Sequence, residues 1–210
     1  MERLHLVRHG EVENPRHVVY ADLPGFSLSP TGRAQAAQAA RHLARSGPDI
    51  VLSSPLDRAL ETATAIARAV GVEVTVDDRL TEWRLSSRWA GVVWEDLPEH
   101  FPGELEAYLA TPHDLPFAPE TLIEVARRMA TVVDDLEEAR SAVLVSHQDP
   151  VQALRGHLLG DGPGSFLLGK PGHASVVTLE RDADGWRETG YWEPDVPSDP
   201  FPPGASAARS

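Results

Sequence analysis

The stretch L-H-L-V-R-H-G-E, residues 4–11, is an apolar run that ends in an arginine, a histidine and a glycine. A short apolar run of this kind predicts a buried strand. The guanidinium of Arg8 has a fork of donors that matches phosphate oxygens, and a neutral imidazole such as His9 is a good nucleophile near pH 7. Gly10 would let the backbone turn and approach a ligand closely. The stretch therefore predicts a phosphate site at the end of a strand.

Strand-like and helix-like segments alternate along the rest of the chain, which is typical of a βαβ protein with a mostly parallel sheet. Residue patterns typical of helix N-caps predict that four helices begin at Ser29-Pro30, Ser54-Pro55, Thr121 and Asp149-Pro150. We predict a three-layer α/β/α sandwich that forms one domain over residues 1–193. Residues 194–210 are rich in proline, serine and alanine, and predict a mobile tail. The further predicted strands are Asp49–Ser53, Val72–Val76, Ala142–Ser146, Ser175–Arg181 and Trp186–Trp192.

The composition excludes several kinds of site and partner. A chain of 210 residues is enough for one sizeable α/β domain, and the absence of cysteine excludes disulfides, a thiolate nucleophile and cysteine metal ligands. A net charge of −13 argues against sequence-independent nucleic-acid binding. With no leader pattern and no long apolar run, we expect a cytoplasmic protein without membrane contact. A small phosphorylated substrate is still compatible with this negative net charge, because a local arginine cluster can hold an anion in an acidic protein.

Reactive residue types follow three of the predicted strands. The first strand ends in Arg8-His9-Gly10, the second runs into S-S-P-L-D-R at residues 53–58, and the third ends in Ser146-His147. Ligands of open parallel sheets bind outside the carboxyl ends of the strands. Arg58 would lie near the first turn of its helix, where the helix dipole already favours an anion. These residues are therefore expected to meet at one edge of the sheet.

Three motifs carry a resemblance to a known family. L-V-R-H-G-E at residues 6–11, S-S-P-L-D-R-A-L-E-T-A at residues 53–63, and Ser146-His147 with a helix ending in L-L-G at residues 158–160 resemble the motifs of the histidine phosphatase superfamily, also called the phosphoglycerate mutase-like family. The likeness reaches from the first strand to about Trp192. It implies a phosphatase that hydrolyses phosphate monoesters without a metal ion or other cofactor.

The resemblance also implies a role for each matching residue. His9 would attack phosphorus and become a phosphohistidine, while Glu82 would protonate the leaving oxygen and then deprotonate the attacking water. His147 would donate to the phosphoryl group, and a phosphate dianion should favour its protonated form. The residues expected around the transferred group are Arg8, Arg58 and His147, with further phosphate contacts from Asn14 and from the backbone of Gln148.

Several alternatives remain at this point. The segment of residues 82–91 is longer than the family pattern and lacks its early glycine, so Glu95 is the alternative proton donor. Asp149 would oppose an anion unless it turns away to cap its helix. A metal-independent sugar-phosphate mutase and a non-catalytic binding module for phosphorylated ligands are the alternative functions. The oligomeric state stays open.

Other residues have simpler interpretations. His173 is most simply a loop histidine, although it could line the pocket. Arg127 and Arg128 are interpreted as the solvent face of their helix. The aromatic residues between Trp83 and Phe117 would either wall the mouth of the site or form a small core of their own.

Overall fold

The computed structural model describes residues 1–161 and 169–196 and contains one six-stranded sheet. Its strands are β1 (Arg3–Arg8), β2 (Ile50–Ser53), β3 (Val74–Val76), β4 (Ser141–Ser146), β5 (Val176–Asp182) and β6 (Gly185–Trp192). They lie side by side in the order β3-β2-β4-β1-β5-β6. The first four of that order are parallel, and β5 and β6 add an antiparallel hairpin beside β1. The mostly parallel sheet that the sequence predicts is confirmed.

Helices cover both faces of this sheet. The α-helices of the described residues are α1 (Pro30–Leu43), α2 (Asp57–Val70), α3 (Arg84–Arg88), α4 (Leu97–His100), α5 (Glu104–Ala110), α6 (Leu122–Asp135) and α7 (Gln148–Leu158). Helices α1 and α2 pack together on one face, and α6 and α7 pack together on the other. The predicted three-layer α/β/α sandwich is therefore confirmed.

The alternation of side chains along the central strands explains the two faces. Val143 and Val145 of β4 pack with small residues of α1 and α2, such as Ala39 and Ala63. Leu144, which lies between those two valines, packs on the opposite face with the apolar stripe of α6 and α7. Every residue of β4 is buried, as expected of a parallel strand that is covered on both faces.

Two of the four predicted helix starts are correct. Ser29 accepts a hydrogen bond from Gly32 before Pro30, and Thr121 begins α6 with a complete capping box. The other two predictions are wrong, because α2 begins only at Asp57 and α7 begins one residue before Asp149. In both cases the expected capping side chain has another partner, which belongs to the site described below.

The segment between β3 and α6 holds α3, α4 and α5 among turns. Three of its aromatic side chains, Trp83, Trp89 and Tyr108, are buried and join the core beneath α6. The same three rings also line a cavity at the carboxyl edge of the sheet. These rings therefore line a cavity, and the alternative of a small separate core is wrong because they belong to the main core.

The chain after β6 returns to α1. The backbone N–H of Asp195 donates to Gln38, and Gln35 donates to the carbonyl of Val196. The rest of the predicted mobile tail, residues 197–210, lies outside the described residues. Within the described ranges, none of the helices has the length and apolarity that a membrane span requires.

A backbone contact between two glycines joins the end of β1 to the first turn of α1. A methyl group built on Gly32 would lie 2.0 Å from the carbonyl oxygen of Glu11, and one built on Gly10 would lie 2.5 Å from the carbonyl oxygen of Gly32. The carbonyl of Glu11 also accepts the N–H of Ser29 at 2.9 Å. Gly10 therefore allows the backbone to approach helix α1 closely. The sequence predicted that it would allow a close approach to a ligand.

This contact predicts that Gly32→Ala destabilises the fold. Alanine usually favours a helix over glycine by about 1 kcal/mol, but here the new methyl group meets backbone that has to move. We expect the free energy of unfolding to fall by about 1–3 kcal/mol, measured by urea denaturation. Gly190→Ala is the control, because its methyl group would contact only Thr178 at 3.9 Å. Equal stability of both variants would contradict the contact.

Candidate active site

Three neighbouring strands place two histidines and a serine at one edge of the sheet. β2, β4 and β1 are adjacent, and their carboxyl ends are followed by Ser54, His147 and His9. The N–H of His9 donates to Ser146 at 3.0 Å, and the N–H of Ser54 donates to Val145 at 2.9 Å. These backbone hydrogen bonds extend the strand pairing by one residue beyond the strands. They hold the backbone at this edge in register, and the imidazole rings of His9 and His147 lie 5.2 Å apart.

His9 is buried and held in one tautomer by its two hydrogen bonds. Its Nδ1 lies 2.7 Å from the carbonyl oxygen of Gly10 and must carry the proton, since a carbonyl only accepts. Its Nε2 accepts from Nε of Arg58 at 3.2 Å and is therefore unprotonated. Burial, followed by the charges of Arg58, His147 and Arg8, lowers the pKa of His9 well below its ordinary value. At pH 7 this ring presents a lone pair at Nε2.

Arg58 extends from the first turn of α2 towards His9 and is almost fully buried. Its Nη2 donates to the carbonyl of Ala21 at 2.8 Å, and its guanidinium lies 4.7 Å from the centre of the Tyr20 ring. Thr62, one turn later, accepts the N–H of Gly10 and donates to the carbonyl of Arg58. Helix α2 therefore fixes a buried cation against the nucleophile candidate, as the second motif predicted.

Arg8 is the last residue of β1 and directly precedes His9. Its Nη1 donates to Oε1 of Gln148 at 2.8 Å and to the carbonyl of Pro171 at 2.9 Å. Its Nη2 lies 2.8 Å from Nε2 of His173, which accepts this bond. Its buried Nε has no hydrogen-bond partner among the described residues. Arg8 is thus oriented by three partners, and two of its five N–H groups, including the one at Nε, take no part in these bonds.

His147 is completely buried and has one engaged and one unengaged nitrogen. Its Nε2 lies 2.7 Å from Oγ of Ser54, while Nδ1 has no hydrogen-bond partner in the described part of the chain and lies 3.8 Å from Glu82. Burial, Arg58 and then Arg128 lower the pKa of His147 well below its ordinary value. A cationic His147 would therefore need the offsetting charge of a phosphate dianion, but the neutral ring still has one N–H to donate.

The structure places Glu82 next to His147, with Oε2 of Glu82 3.8 Å from Nδ1 of the imidazole. Its Oε1 accepts the N–H of Trp83 at 2.8 Å. Burial and the nearby Asp149 carboxylate raise the pKa of Glu82 to about 7. Glu95, the alternative proton donor, is exposed and lies 3.5 Å from Nδ1 of His17 on the surface. The geometry favours Glu82.

Arg128 of α6 is not on the solvent face, so that prediction is wrong. Its Nη1 donates to the carbonyls of Arg79 and Thr81 at 2.6 and 2.9 Å, and its Nη2 donates to the carbonyl of Glu82 at 3.1 Å. Its Nε forms a 2.7 Å ion pair with Glu120, which is largely buried. This guanidinium therefore holds the backbone turn that carries Glu82.

Two further predicted contact residues have partners within the protein. The amide of Asn14 donates to the carbonyl of Val18 and accepts the N–H of the same residue. It braces the loop between β1 and α1, and its contact with phosphate stays a prediction. The side chain of Gln148 supports Arg8, while its predicted backbone contact with phosphate also remains a prediction.

Asp149 turns away from the histidines but does not cap α7. Its carboxylate accepts from the hydroxyl of Tyr108 at 3.2 and 3.3 Å and lies 3.6 Å from Nζ of Lys170. Lys170 also donates to the hydroxyl of Tyr108 at 2.9 Å. We refer to Asp149, Tyr108 and Lys170 as the mouth cluster, since all three line the cavity beside Arg8 and Glu82.

Sequence reasoning missed the part played by Tyr20 and gave a place in the pocket only as the alternative for His173. His173 is partly buried and contacts Arg8, and its ring lies 5.9 Å from that of His9. The only signal for it was its position just before the strand that became β5. Tyr20 lies in a loop with no recognisable pattern, and only the folded chain brings it over Arg58.

Comparisons with known proteins agree with this geometry. The family model described as the histidine phosphatase superfamily (branch 1) matches residues 4–193. Phosphoserine phosphatase 1 of Hydrogenobacter thermophilus is 34% identical over 164 residues, which are 76% of this chain and 77% of that protein. Glucosyl-3-phosphoglycerate phosphatase of Mycolicibacterium vanbaalenii is 33% identical over 190 residues, which are 85% of this chain and 84% of that protein.

A solved structure is similar over the same range. The mycobacterial glucosyl-3-phosphoglycerate phosphatase in complex with VO3 superposes with a TM-score of 0.80 at 31% identity, covering 90% of this chain and 98% of that one. The family model spans the three strand ends and the sites of all five predicted catalytic residues. The chain therefore belongs to the histidine phosphatase superfamily.

Proposed function

We propose that this protein hydrolyses phosphate monoesters in two steps through a phosphohistidine at His9. The observation that carries the proposal is the tautomer of His9, whose unprotonated Nε2 accepts from Arg58 and whose ring lies 5.2 Å from that of His147. Relatives in the same superfamily are named as phosphatases of glucosyl-3-phosphoglycerate and phosphoserine. Both of those compounds are phosphate monoesters.

In the first step, Nε2 of His9 attacks phosphorus and the bond from phosphorus to the ester oxygen breaks. Glu82 gives its proton to the departing oxygen, which leaves as an alcohol. Phosphoryl transfer spreads negative charge over the equatorial oxygens, so fixed donors are the main catalytic device. Arg58 and Arg8 supply cationic donors, and His147 supplies an N–H from a buried ring.

In the second step, the Glu82 carboxylate removes a proton from water while the oxygen of that water attacks phosphorus. The N–P bond breaks, inorganic phosphate leaves, and His9 regains its lone pair. Glu82 ends protonated and ready for the next turnover. A carboxyl group whose pKa is about 7 suits both directions of transfer at neutral pH.

A mutase would instead return the phosphoryl group to a second position of its substrate. The segment between β3 and α6 is rich in acids, with Glu95, Asp96, Glu99, Glu104 and Glu106, and this favours hydrolysis over the binding of a second acidic group. Incubation with 3-phosphoglycerate distinguishes the two reactions. We expect phosphate release without isomer formation.

His9→Ala should lower the rate of phosphate release from a generic aryl phosphate by roughly 10³-fold or more, because no other group can form the covalent intermediate. When the unaltered protein is quenched during turnover of a ³²P-labelled substrate, a phosphoenzyme that is stable in base and labile in acid should be found. The variant should carry no such label. His157→Ala is the control, since His157 is exposed on α7. Full activity of the His9 variant would exclude the mechanism.

Glu82→Gln should lower kcat/KM for an alkyl phosphate by about 10²–10⁴-fold, while a 4-nitrophenyl ester, whose leaving group needs no proton, should be affected far less. The pKa of Glu82 is raised to about 7, so its proton is present below pH 7 and lost above it. We therefore expect kcat/KM of the unaltered protein to fall as pH rises through 7, and this fall to disappear in the variant. Glu95→Gln is the matched control, and the opposite pattern would assign the role to Glu95.

We further propose that catalysis is independent of metal ions, since two arginines are available to neutralise the transferred group. In the described part of the chain, no three or more His, Asp or Glu residues are arranged to hold a metal ion. Phosphate release after treatment with a strong chelator should equal that of the untreated protein. Loss of activity that is restored by one added divalent metal would overturn this part of the proposal.

A further inference from the structure

A cavity of about 420 Å³ opens beside Arg8 and Glu82, where the alcohol part of a substrate would lie. Its walls are largely apolar and include five aromatic side chains, those of Tyr20, Trp83, Trp89, Trp94 and Tyr108. The rings of Trp89 and Tyr108 meet edge to face at 5.7 Å, and Trp94 meets Trp89 at 6.4 Å. Such rings present carbon surfaces that bury apolar or aromatic groups well.

Several polar groups of this wall are already bound within the protein. The indole N–H of Trp83 donates to the carbonyl of Glu120, and that of Trp89 donates to Glu104. The hydroxyl of Ser86 donates to the carbonyl of Trp83. A substrate with many hydroxyl groups would therefore compete with bonds already made, since a buried polar group without a partner is costly.

The charges of the wall are also balanced. Apart from Arg8 and Glu82, the charged residues on the wall in the described part of the chain are Asp149 and Lys170. Lys170 lies 3.6 Å from Asp149 and 4.6 Å from the centre of the Tyr108 ring, so its charge is matched within the mouth cluster. By sequence, residues 162–168 add no charged side chain. A second anionic group on a substrate would meet the carboxylate of Asp149 without gaining an unmatched cation.

We propose that the site selects phosphate monoesters of uncharged aromatic or alkyl alcohols, and that Asp149 discriminates against substrates with a second anionic group on the leaving alcohol. This inference rests on the proposed phosphatase function and narrows it to a class of leaving group. Monoesters such as phosphoglycerate and phosphoserine carry a carboxylate near the ester. They should therefore be poorer substrates than a neutral aromatic ester.

A matched pair of substrates tests this selectivity. Benzyl phosphate and 4-carboxybenzyl phosphate have leaving alcohols of similar acidity but differ by one negative charge. We expect kcat/KM for benzyl phosphate, followed by phosphate release, to be roughly tenfold or more above that of the carboxylated ester, because Lys170 is already paired with Asp149 and the added carboxylate would lose water without gaining a cation. A hexose 6-phosphate should also fall below benzyl phosphate.

Two variants assign the effect to named side chains. Asp149→Asn should remove most of the difference between the two benzyl esters, and Asp96→Asn is its control, since Asp96 is exposed outside the cavity. Trp94→Ala should raise KM for benzyl phosphate but leave KM for methyl phosphate unchanged, because the methyl group is too small to contact the aromatic side chains of the cavity. Trp94 is only partly buried, which makes misfolding of this variant less of a concern.

The outcomes separate this inference from the proposed function. Equal or faster hydrolysis of 4-carboxybenzyl phosphate, or an unchanged ratio in Asp149→Asn, would overturn the selectivity while hydrolysis itself stands. Faster hydrolysis of the hexose phosphate than of benzyl phosphate would overturn the assignment of an aromatic or alkyl leaving group. No phosphate release from any monoester, together with no trapped phosphoenzyme, would overturn the proposed function and this inference with it.

Discussion

The hydrogen bond from Nδ1 of His9 to the carbonyl of Gly10 is the constraint on which the rest of the site depends. It fixes the tautomer and directs the lone pair of Nε2 towards Arg58 and away from the backbone. The bond requires the Gly10 carbonyl to stay in place, and the tight contact of that loop with Gly32 of α1 provides this rigidity. Burial and the surrounding cations then keep the ring neutral, because a second proton would add charge to a site that already holds two arginines.

The fold and the central residues were predictable from sequence because their signals are local. Each relevant strand is an apolar run followed at once by the polar side chains that it delivers, as Arg8-His9 and Ser146-His147 show. The rule that parallel strands end at one edge then brings those side chains together. The capping box at Thr121 is equally local, since both of its partners lie within one turn.

The parts that escaped prediction depend on contacts between distant segments. Arg128 has the spacing of a surface residue on α6, yet its partners are carbonyl groups of a turn that only the folded chain places beside it. Asp149 carries the pattern of a helix cap, but Tyr108 and Lys170 offer its carboxylate stronger partners across the cavity. In both cases a local preference was overridden by a tertiary contact, which no periodicity in the sequence could show.

The two sides of the sandwich also contribute different parts of the site. The layer of α1 and α2 supports His9 and supplies Arg58, whereas α6 on the opposite layer holds the turn of Glu82, and the aromatic wall comes mainly from the segment between β3 and α6. Under the proposed mechanism, insertions or substitutions in that segment would change which alcohol fits without disturbing the groups assigned to phosphoryl transfer. Such a division lets a single scaffold diversify into enzymes of different specificity over evolutionary time, with the bond-breaking machinery inherited intact.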